Sequence, residues 1–277
     1  MKQIKGKVVL ITGGALGIGR EVARLFAKDG ARIVLWDLRQ EDLDKTAEEL
    51  RGLGAEVHTY ICDVTKREMV YETAEKVKKE AGVVDILDNN AGVVFGGPLW
   101  DVDDDKILKT LEVNLNAVIW CTKAFLPEMM ERNQGHIIMM ASAAGILGVP
   151  GLATYCATKH AVVGLSDSLR MELKKVGKDG IKLTVVCPSF VQTGMFEGVK
   201  PPRLNPWLTT EQMAIKIYKA VLKEKPYVRE PFIVKTVPFL KGISTTSLLD
   251  WVSANIFAMD RSMDTWIGRQ DQEKYLK

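Results

Sequence analysis

Tyr155 and Lys159 stand one helical turn apart and carry side chains suited to proton transfer, and Ser142 lies thirteen residues upstream of the tyrosine. Residues four apart on a helix are neighbours, so the Lys159 ammonium would favour the phenolate and lower the pKa of Tyr155. An unperturbed tyrosine titrates near ~10, too high for a base at neutral pH. The pair alone is equally typical of a tyrosine at a helix edge beside a solvated lysine. It therefore predicts acid/base chemistry only where the rest of the chain builds a site around it.

A glycine-rich stretch, Thr12–Gly19, follows the apolar run Lys7–Ile11 and precedes an amphipathic helix that ends at Gly30. Glycines in this context allow a tight turn, close approach of the backbone to a pyrophosphate, and packing of the helix on the strand. The helix amino terminus then favours the negative charge of the phosphates. The pattern predicts a dinucleotide-binding loop, and its three glycines are Gly13, Gly17 and Gly19.

Asp37 ends the second apolar run, about twenty residues after the glycine loop. A carboxylate there accepts hydrogen bonds from an adenosine ribose and repels a 2′-phosphate, which predicts NAD as cofactor. NADP is the alternative, because Arg39 would serve a phosphate if it turned inward; Leu16, however, leaves the loop without a basic residue. Asp63, after the third run, is read in two ways, as a partner of the adenine amino group or as a cap of the helix that begins near Thr65.

The composition is that of an ordinary globular protein. Of 277 residues, 47% are hydrophobic and 26% charged, and the net charge of +3 gives no electrostatic case for nucleic acid or an anionic membrane. Four scattered cysteines and three histidines predict no metal site. Met1–Lys7 lacks the apolar core of a signal peptide, and no apolar run reaches about 18 residues. We therefore expect a cytoplasmic protein, with peripheral membrane association as an open alternative.

Short β-branched runs alternate with helical patterns along most of the chain. This alternation predicts an α/β fold, a single-domain, Rossmann-like, doubly wound parallel sheet flanked by helices. Ligands of such sheets bind beyond the carboxyl ends of the strands. The predicted strands are Val8–Ile11, Ile33–Trp36, Val57–Ile61, Ile86–Leu87, Ile137–Met140 and Leu183–Val186, with a seventh at Phe232–Val237; the longer predicted helices are 106–132, 154–176 and 210–223.

The chain resembles the short-chain dehydrogenase/reductases over about residues 5–195. The motifs that carry the resemblance are Thr12-Gly-x-x-x-Gly-x-Gly19, Asn89-Asn-Ala-Gly92, Asn114, Ser142 and Tyr155-x-x-x-Lys159, in that order. Val34-Leu-Trp-Asp37, Lys123-Ala-Phe-Leu-Pro127 and Thr193-Gly-Met-Phe196 look most like the branch of the retinol dehydrogenases and 17β-hydroxysteroid dehydrogenases 11 and 13. The resemblance implies one domain over residues 1–277, with a core at 5–195 and a substrate lid and carboxyl-terminal extension at 194–277.

The resemblance also assigns roles to residues. Tyr155 is the implied acid/base, Lys159 lowers its pKa and holds the nicotinamide ribose, Ser142 binds the substrate oxygen, and Asn114 anchors a water that links Lys159 to solvent. Thr193 is implied to bind the nicotinamide carboxamide, and Met195 and Phe196, with Ser142 and Tyr155, the substrate. The implied cofactor-binding residues are Gly13, Leu16, Gly17, Ile18, Gly19, Asp37, Asp63, Val64, Asn90, Ala91, Gly92, Tyr155, Lys159, Pro188, Val191 and Thr193.

Several positions depart from the family pattern or vary within it. Asp88 stands where a small apolar residue is usual, and we expect it to cap a turn; Ser189 replaces a frequent glycine. The predicted lid, Gly194–Trp207, contains Met195, Phe196, Pro201, Pro202, Pro206 and Trp207, which favours an apolar substrate. The apolar stretches 237–243 and 248–259 predict contact with a second subunit first and with a membrane second.

These features favour an NAD-dependent dehydrogenase that interconverts a lipophilic alcohol (a retinoid, steroid or long-chain alcohol) and its carbonyl compound. The alternatives are an NADPH-dependent 3-oxoacyl or other ketone reductase, which would use the same residues, and a non-catalytic NAD-binding scaffold. The broad apolar helix faces predict a homodimer or homotetramer.

Overall fold

The computed structural model describes residues 3–200 and 205–268. Seven parallel strands form one sheet in the order β3-β2-β1-β4-β5-β6-β7. The order reverses between β1 and β4, and a crevice for a ligand forms at such a reversal. The strands are β1 Val8–Thr12, β2 Arg32–Asp37, β3 Val57–Ile61, β4 Ile86–Asn89, β5 Gly135–Met140, β6 Ile181–Pro188 and β7 Tyr227–Glu230.

Helices connect the strands and cover both faces of the sheet. One apolar core lies between the sheet and α3, α5 and α6, and a second lies on the other face under α1, α2 and α7. All residues of β1 and β5 are buried, as expected for strands covered on both sides. The predicted α/β fold is thereby confirmed. The helices are α1 Gly17–Lys28, α2 Gln40–Gly52, α3 Arg67–Glu80, α4 Asp104–Leu111, α5 Ala117–Arg132, α6 Ala153–Lys175, α7 Thr210–Leu222, α8 Phe232–Ile243 and α9 Thr246–Asn255.

The helix predicted over 106–132 is divided by a π-helical segment, Glu112–Asn116, between α4 and α5. A π-bulge inserts one extra residue into the helical hydrogen-bond ladder and often marks a functional site. The predicted stop at Asn133 is observed, because this residue adopts a left-handed conformation with φ of 46°. The sequence pattern predicted this long helical stretch and its end, but it did not predict the bulge that holds Asn114.

The strand predicted at Phe232–Val237 is wrong. These residues form the first half of α8, and the seventh strand, β7, ends two residues earlier at Glu230. A short apolar run does not by itself distinguish a strand from a helix. In this chain Pro231 sets the amino-terminal cap of α8, which turns the run into a helix.

The turn-capping role predicted for Asp88 is also wrong. Asp88 lies inside β4 and is fully buried, and neither carboxyl oxygen has a hydrogen-bond partner among the described residues. The turn after β4 is instead held by the Asn90 amide, which donates to the Asp88 carbonyl at 2.9 Å, and by Thr12 Oγ1, which accepts from the Asn90 and Ala91 amides at 3.1 Å. Burial raises the pKa of the Asp88 carboxyl to about 8, so the neutral acid is the form that this position favours.

Within the part of the chain that the structure describes, no helix has the length and apolar character needed to cross a membrane. The same residues contain no group of three or more His, Cys, Asp or Glu side chains arranged to hold a metal ion.

Candidate active site

The three residues singled out for proton chemistry meet in one cleft at the carboxyl ends of β4, β5 and β6. Ser142 follows β5 and caps a short 3-10 turn, where its Oγ accepts from the Ala144 amide at 3.1 Å. Tyr155 lies in the first turn of α6, and Lys159 lies one turn further on. All three side chains are buried, at 8%, 5% and 3% exposure, so the polar groups act away from bulk water.

The lysine is held by the backbone and not by the tyrosine. Lys159 Nζ donates to the Met140 carbonyl at 2.7 Å and lies 5.6 Å from the centroid of the Tyr155 ring. Burial lowers the pKa of Lys159 to about 8, because desolvation penalises the ammonium. Lys159 is therefore close enough to act on the phenol through charge but is anchored to β5.

The pKa of Tyr155 differs from the sequence-based expectation. Burial raises the pKa of the Tyr155 phenol, and the hydrogen bond with Ser142 opposes that shift. The expected lowering by Lys159 is absent: desolvation of the enclosed phenolate is the largest influence on this pKa, and the opposing one comes from Ser142. This geometry favours the neutral phenol, the form that donates a proton to a carbonyl oxygen.

Asn114 lies in the π-helical segment and is fully buried. Its Nδ2 donates to the Val93 carbonyl at 2.8 Å, and its Oδ1 accepts from the Val93 amide at 2.9 Å. A Cβ atom built on Gly92 would lie 3.3 Å from Asn114 Oδ1 and 3.8 Å from Lys159 Nζ. Asn114 thus fixes the loop after β4, and Gly92 leaves the space into which the lysine projects. The water relay implied by the resemblance stays a prediction.

The glycine loop fits a dinucleotide. Gly13 and Gly17 have positive φ values of 62° and 58°, which side chains with a Cβ rarely adopt. A Cβ on Gly13 would lie 3.0 Å from Ala91 Cα, so the loop after β1 touches the loop after β4. The cap residue of α1, Leu16, makes no side-chain hydrogen bond to the helix end. The first amide groups of α1 therefore point to the site without a side-chain cap, the arrangement that binds phosphate oxygens.

Asn90 joins the two loops of the cofactor site. Its Nδ2 donates to the carbonyls of Thr12 and Gly13, at 2.9 and 3.0 Å. A Cβ on Gly19 would lie 2.6 Å from the same nitrogen, which explains why the third glycine is needed. In the structure Asn90 therefore stabilises the glycine loop by hydrogen bonds to its backbone.

The Asp37 carboxylate is fixed by two backbone amides. Asp37 Oδ2 accepts from Ala15 at 3.2 Å, and Oδ1 accepts from Leu38 at 2.8 Å. Burial raises the pKa of Asp37, and these hydrogen bonds oppose the rise. Arg39 makes an ion pair with Asp42 on α2, with 2.7 Å between Nε and Oδ2. Arg39 thus lines the cleft while its guanidinium is paired with the helix that follows.

Of the two readings of Asp63, the helix cap is wrong, because α3 begins at Arg67 with Lys66 as its cap residue, and contact with the adenine stays a prediction. Its Oδ1 accepts from the Thr65 amide at 3.0 Å and from Thr65 Oγ1 at 2.7 Å, so it closes the turn before α3. It also lines the cleft, beside Val64. A carboxylate has lone pairs for more than one donor, so the turn does not prevent contact with an adenine.

The cleft has a volume of about 1390 Å³ when counted out to open solvent. Except for Gly19 and Asn114, which adjoin it, all predicted site residues line it. Residues that the sequence did not single out also line the cleft. Sequence periodicity could not identify them, because side chains that face a cleft between loops follow no periodic pattern. The predicted lining residues are Gly13, Leu16, Gly17, Ile18, Asp37, Asp63, Val64, Asn90, Ala91, Gly92, Ser142, Tyr155, Lys159, Pro188, Val191, Thr193, Met195 and Phe196; the others include Leu38, Val93, Val94, Lys109, Val113 and Met140.

The end of the cleft beyond Tyr155 is apolar. Phe196 packs edge-on against Tyr155 with 6.2 Å between the ring centroids, and Phe190 packs against Phe196 at 5.2 Å. Around these rings lies a separate apolar cluster, to which the carboxyl-terminal segment contributes. Its other members include Val94, Val149, Leu152, Met195, Met259, Met263 and Trp266. Pro201 and Pro202 of the predicted lid lie outside the described residues.

The arrangement is suited to moving a proton to or from an oxygen next to a hydride acceptor. A nicotinamide dinucleotide, when bound, supplies the hydride or accepts it. Ser142 and Tyr155 would hold the substrate oxygen, Tyr155 would exchange its proton, and the Lys159 charge would favour the phenolate that results. The surrounding burial excludes water from this exchange.

Comparison with known proteins agrees with this geometry. The profile of the short chain dehydrogenase family matches residues 7–203. Epidermal retinol dehydrogenase 2 of Mus musculus is 46% identical over 245 residues, covering 87% of this chain and 79% of that protein. Estradiol 17-beta-dehydrogenase 11 of Homo sapiens is 44% identical over 239 residues, covering 86% and 78%.

Solved structures give the same result. A short chain dehydrogenase/reductase from Burkholderia phymatum in complex with NAD superposes with a TM-score of 0.80 at 30% identity, covering 87% of this chain and 95% of that one. An NAD+-bound xylitol dehydrogenase superposes with a TM-score of 0.65 at 32% identity, covering 69% and 72%. The chain belongs to the short chain dehydrogenase family and is an NAD(P)-dependent oxidoreductase that interconverts an alcohol and a carbonyl compound.

Proposed function

We propose that this enzyme is an NAD-linked dehydrogenase of a lipophilic alcohol, a retinoid, a steroid or a long-chain alcohol. The observation that carries the proposal is the apolar cluster beside Tyr155. Val94, Met195 and Phe196 belong to it and line the cleft, so the substrate atoms next to the reacting carbon would be surrounded by apolar side chains. Apolar walls with few polar groups bind ligands mainly by removing their apolar surface from water.

The preference for NAD over NADP rests on Asp37. The carboxylate is held at the end of β2 by two amides, where it would accept from ribose hydroxyls and repel a 2′-phosphate. Arg39 lines the cleft as well, and its ion pair with Asp42 would have to be given up for its guanidinium to bind that phosphate. The NAD complexes among the related solved structures support the same preference.

The names of the relatives support the substrate class. The mouse protein is named a retinol dehydrogenase and the human protein an estradiol dehydrogenase, and both substrates are largely apolar alcohols. Ser142 and Tyr155 are the polar groups that would fix the single hydroxyl, while the apolar cluster accepts the remainder. This division of roles does not select among the three alcohol classes.

A substrate panel tests the proposal directly. The purified protein is mixed with NAD+ and all-trans-retinol, estradiol, 1-dodecanol or, as a polar comparison, xylitol, and NADH formation is followed at 340 nm. We expect turnover of at least one apolar alcohol at a kcat/KM well above that of xylitol. Turnover with NADPH and 3-oxoacyl substrates alone would replace the proposal by the reductase alternative. NAD binding without turnover of any substrate would favour the scaffold alternative.

We also propose that the enzyme forms a dimer or tetramer and that α8 and α9 contribute to the interface. α9 has no buried residue and α8 has one, Val234, yet their apolar side chains point outward. α8 carries only two cations, of which Lys235 is paired with Glu230 at 3.0 Å and Lys241 donates to the Ile146 carbonyl at 2.9 Å, so the surface offers few charges to an anionic membrane. A second copy of the chain is therefore the occupant we favour. The exposed side chains are Phe232, Phe239, Ile243, Leu248 and Trp251.

Light scattering coupled to size exclusion measures this assembly. We expect a mass of two or four chains, and a shift toward the monomer when Phe239 and Ile243 are both changed to Ser. Flotation with vesicles of neutral and of anionic lipid provides the contrast. A monomer that floats with vesicles would instead identify this surface as a membrane-binding surface.

Four unpaired cysteines fit the reducing cytoplasm that we propose as the compartment, which immunofluorescence of the full chain would test.

A further inference from the structure

Two segments distant in sequence lie side by side at the substrate end of the cleft. The first, here called the substrate loop, is Gly194–Val199, which carries Met195 and Phe196. The second, here called the strap, is residues 262–268, after α9. Phe196 of the substrate loop contacts Tyr155, so the position of this loop determines the space above the reacting atoms.

The strap holds the substrate loop through hydrogen bonds to the backbone carbonyl groups of the loop. The Ile267 amide donates to the Glu197 carbonyl at 2.9 Å, and Thr265 Oγ1 donates to the Gly198 carbonyl at 2.7 Å. Within the loop itself, the Val199 amide donates to the Phe196 carbonyl at 3.2 Å. The loop has no helix or strand of its own, so the strap provides much of its order.

The fit between the two segments is close. A Cβ atom on Gly198 would lie 2.2 Å from the Thr265 carbonyl oxygen and 2.9 Å from Ile267 Cγ1, and Gly198 has a φ of 82°. A side chain at this position would have to push the strap away. The contact therefore requires a glycine on the loop side.

Trp266 joins the strap to two other parts of the site. Its Nε1 donates to the Met195 carbonyl at 3.3 Å. Its six-membered ring lies against Gly96, in the loop after β4, where a built Cβ would be 2.9 Å from Trp266 Cε3. The indole also belongs to the apolar cluster that contains Leu152 and Tyr155. One side chain thus contacts the substrate loop, the loop after β4 and the surroundings of the acid/base.

We infer that Trp266 is a positioning residue that latches the substrate loop over Tyr155 and thereby sets the affinity for large apolar alcohols. The effect on substrates rests on the proposed function, whereas the effect on the loop does not. Without the indole, the Met195 carbonyl loses its donor and the apolar cluster loses a large aromatic member, so the loop separates from Tyr155 more often. A large apolar substrate then loses the wall that Phe196 provides, while a small alcohol held by Ser142 and Tyr155 does not.

Hydrogen–deuterium exchange of the full chain tests the latch without any substrate. In Trp266→Ala we expect the amides of 194–200 and of 262–268 to exchange at least about tenfold faster, which corresponds to about 1.4 kcal/mol of lost local stability. Peptides from β1 and α1 should remain unchanged. Trp266→Phe keeps an apolar ring but lacks the N–H donor, so we expect a smaller increase. Trp100→Ala is the matched control, because this tryptophan is 85% exposed.

Steady-state kinetics add the substrate readout. Trp266→Ala should raise KM for the large apolar alcohols by about tenfold while the NAD Kd and the KM for 2-butanol change little, since the loss falls on uniform substrate binding. Unchanged exchange of the loop peptides, or an equal increase in every peptide, would overturn the latch. Absence of turnover in the unmodified protein would count against the proposed function alone, because the exchange result does not depend on it.

Discussion

The Ala15 amide donates to Asp37 Oδ2 at 3.2 Å, and this contact ties the carboxylate that would select the cofactor to the loop that would bind its phosphates. The charge of Asp37 is therefore fixed in place and does not depend on a flexible side chain. Cofactor choice should follow this one charge.

In Asp37→Ser the negative charge is lost, while a small acceptor for the ribose remains. We expect the NAD Kd to rise about tenfold and the NADP Kd to fall by at least as much, because repulsion of a 2′-phosphate disappears. Fluorescence titration of both cofactors measures the ratio. Asp42→Asn, which loosens Arg39 but leaves Asp37 intact, should keep the preference for NAD. If the ratio stays the same in Asp37→Ser, the assignment of selectivity to this residue fails.

Tyr155→Phe removes the phenolic oxygen and keeps the ring that packs on Phe196. We expect kcat to fall by about 10²–10⁴-fold, since general acid–base catalysis contributes in that range. The NAD Kd should stay within about twofold, as the change removes one hydroxyl from a large contact surface. Tyr60→Phe is a control far from the cleft, where the hydroxyl donates to Glu80 at 2.7 Å. Retained turnover in Tyr155→Phe would exclude Tyr155 as the acid/base.

The sequence predicted the parts of the fold that depend on local pattern. β1, the glycine loop and α1 follow from an apolar run, glycines at fixed spacing and helical periodicity, and α7 begins at Thr210 as expected. The gathering of Ser142, Tyr155 and Lys159 followed from motif spacing, because parallel strands end at one edge of the sheet. These features need little information from distant residues.

Features that depend on long-range contact were not predictable in this way. The Phe232–Val237 run fits the local pattern of a strand and of a helix equally, so the pattern alone did not distinguish them. The raised pKa of Tyr155 results from burial by loops that come from several parts of the chain. Trp266 reaches Met195 across 71 residues, and no periodicity connects such partners.

We predict that replacing Asp88 stabilises the folded protein. Its carboxyl is fully buried without a hydrogen-bond partner among the described residues, and burial raises its pKa to about 8. The unfolded chain releases this proton near pH ~4, so the folded state holds more protons between the two values and stability falls as pH rises through this window. At pH 7 the cost is about 4 kcal/mol, as an upper bound.

Asp88→Val should therefore raise Tm by at least about 5 °C at pH 7 and remove the loss of stability between pH 5 and 8. Calorimetry at several pH values measures both effects. Asp88→Asn, of nearly the same size, removes the titration but leaves a buried polar group, so it should abolish the fall of stability with rising pH while giving a smaller gain in Tm. A fall of stability between pH 5 and 8 that persists in both variants would locate the titrating group elsewhere.

For His136 we predict the opposite pH dependence, in which the stability of the folded protein decreases at acidic pH. His136 Nε2 lies 2.8 Å from Thr184 Oγ1, and that hydroxyl donates to the Lys225 carbonyl at 2.7 Å. The hydroxyl proton is thus already used, so Nε2 must donate, which leaves Nδ1 as the unprotonated nitrogen. Nδ1 is buried without a partner among the described residues, and burial lowers the pKa of His136 to about 4.

The unfolded chain binds a proton on this histidine near pH ~6.5, whereas the folded protein resists it until about 4, so stability is lost as pH falls through that window. The loss reaches about 3 kcal/mol when the window has been crossed. His136→Leu removes the titrating ring and leaves the Thr184 hydroxyl bonded to Lys225. Because Asp88 titrates with the opposite effect over the same range, the comparison is made in an Asp88→Asn background, where we expect urea unfolding at pH 5 and at pH 7 to give nearly equal stabilities once His136→Leu is added. In the same background His58→Leu, at the less buried histidine of β3, should retain the difference, and an undiminished difference in His136→Leu would contradict the assignment.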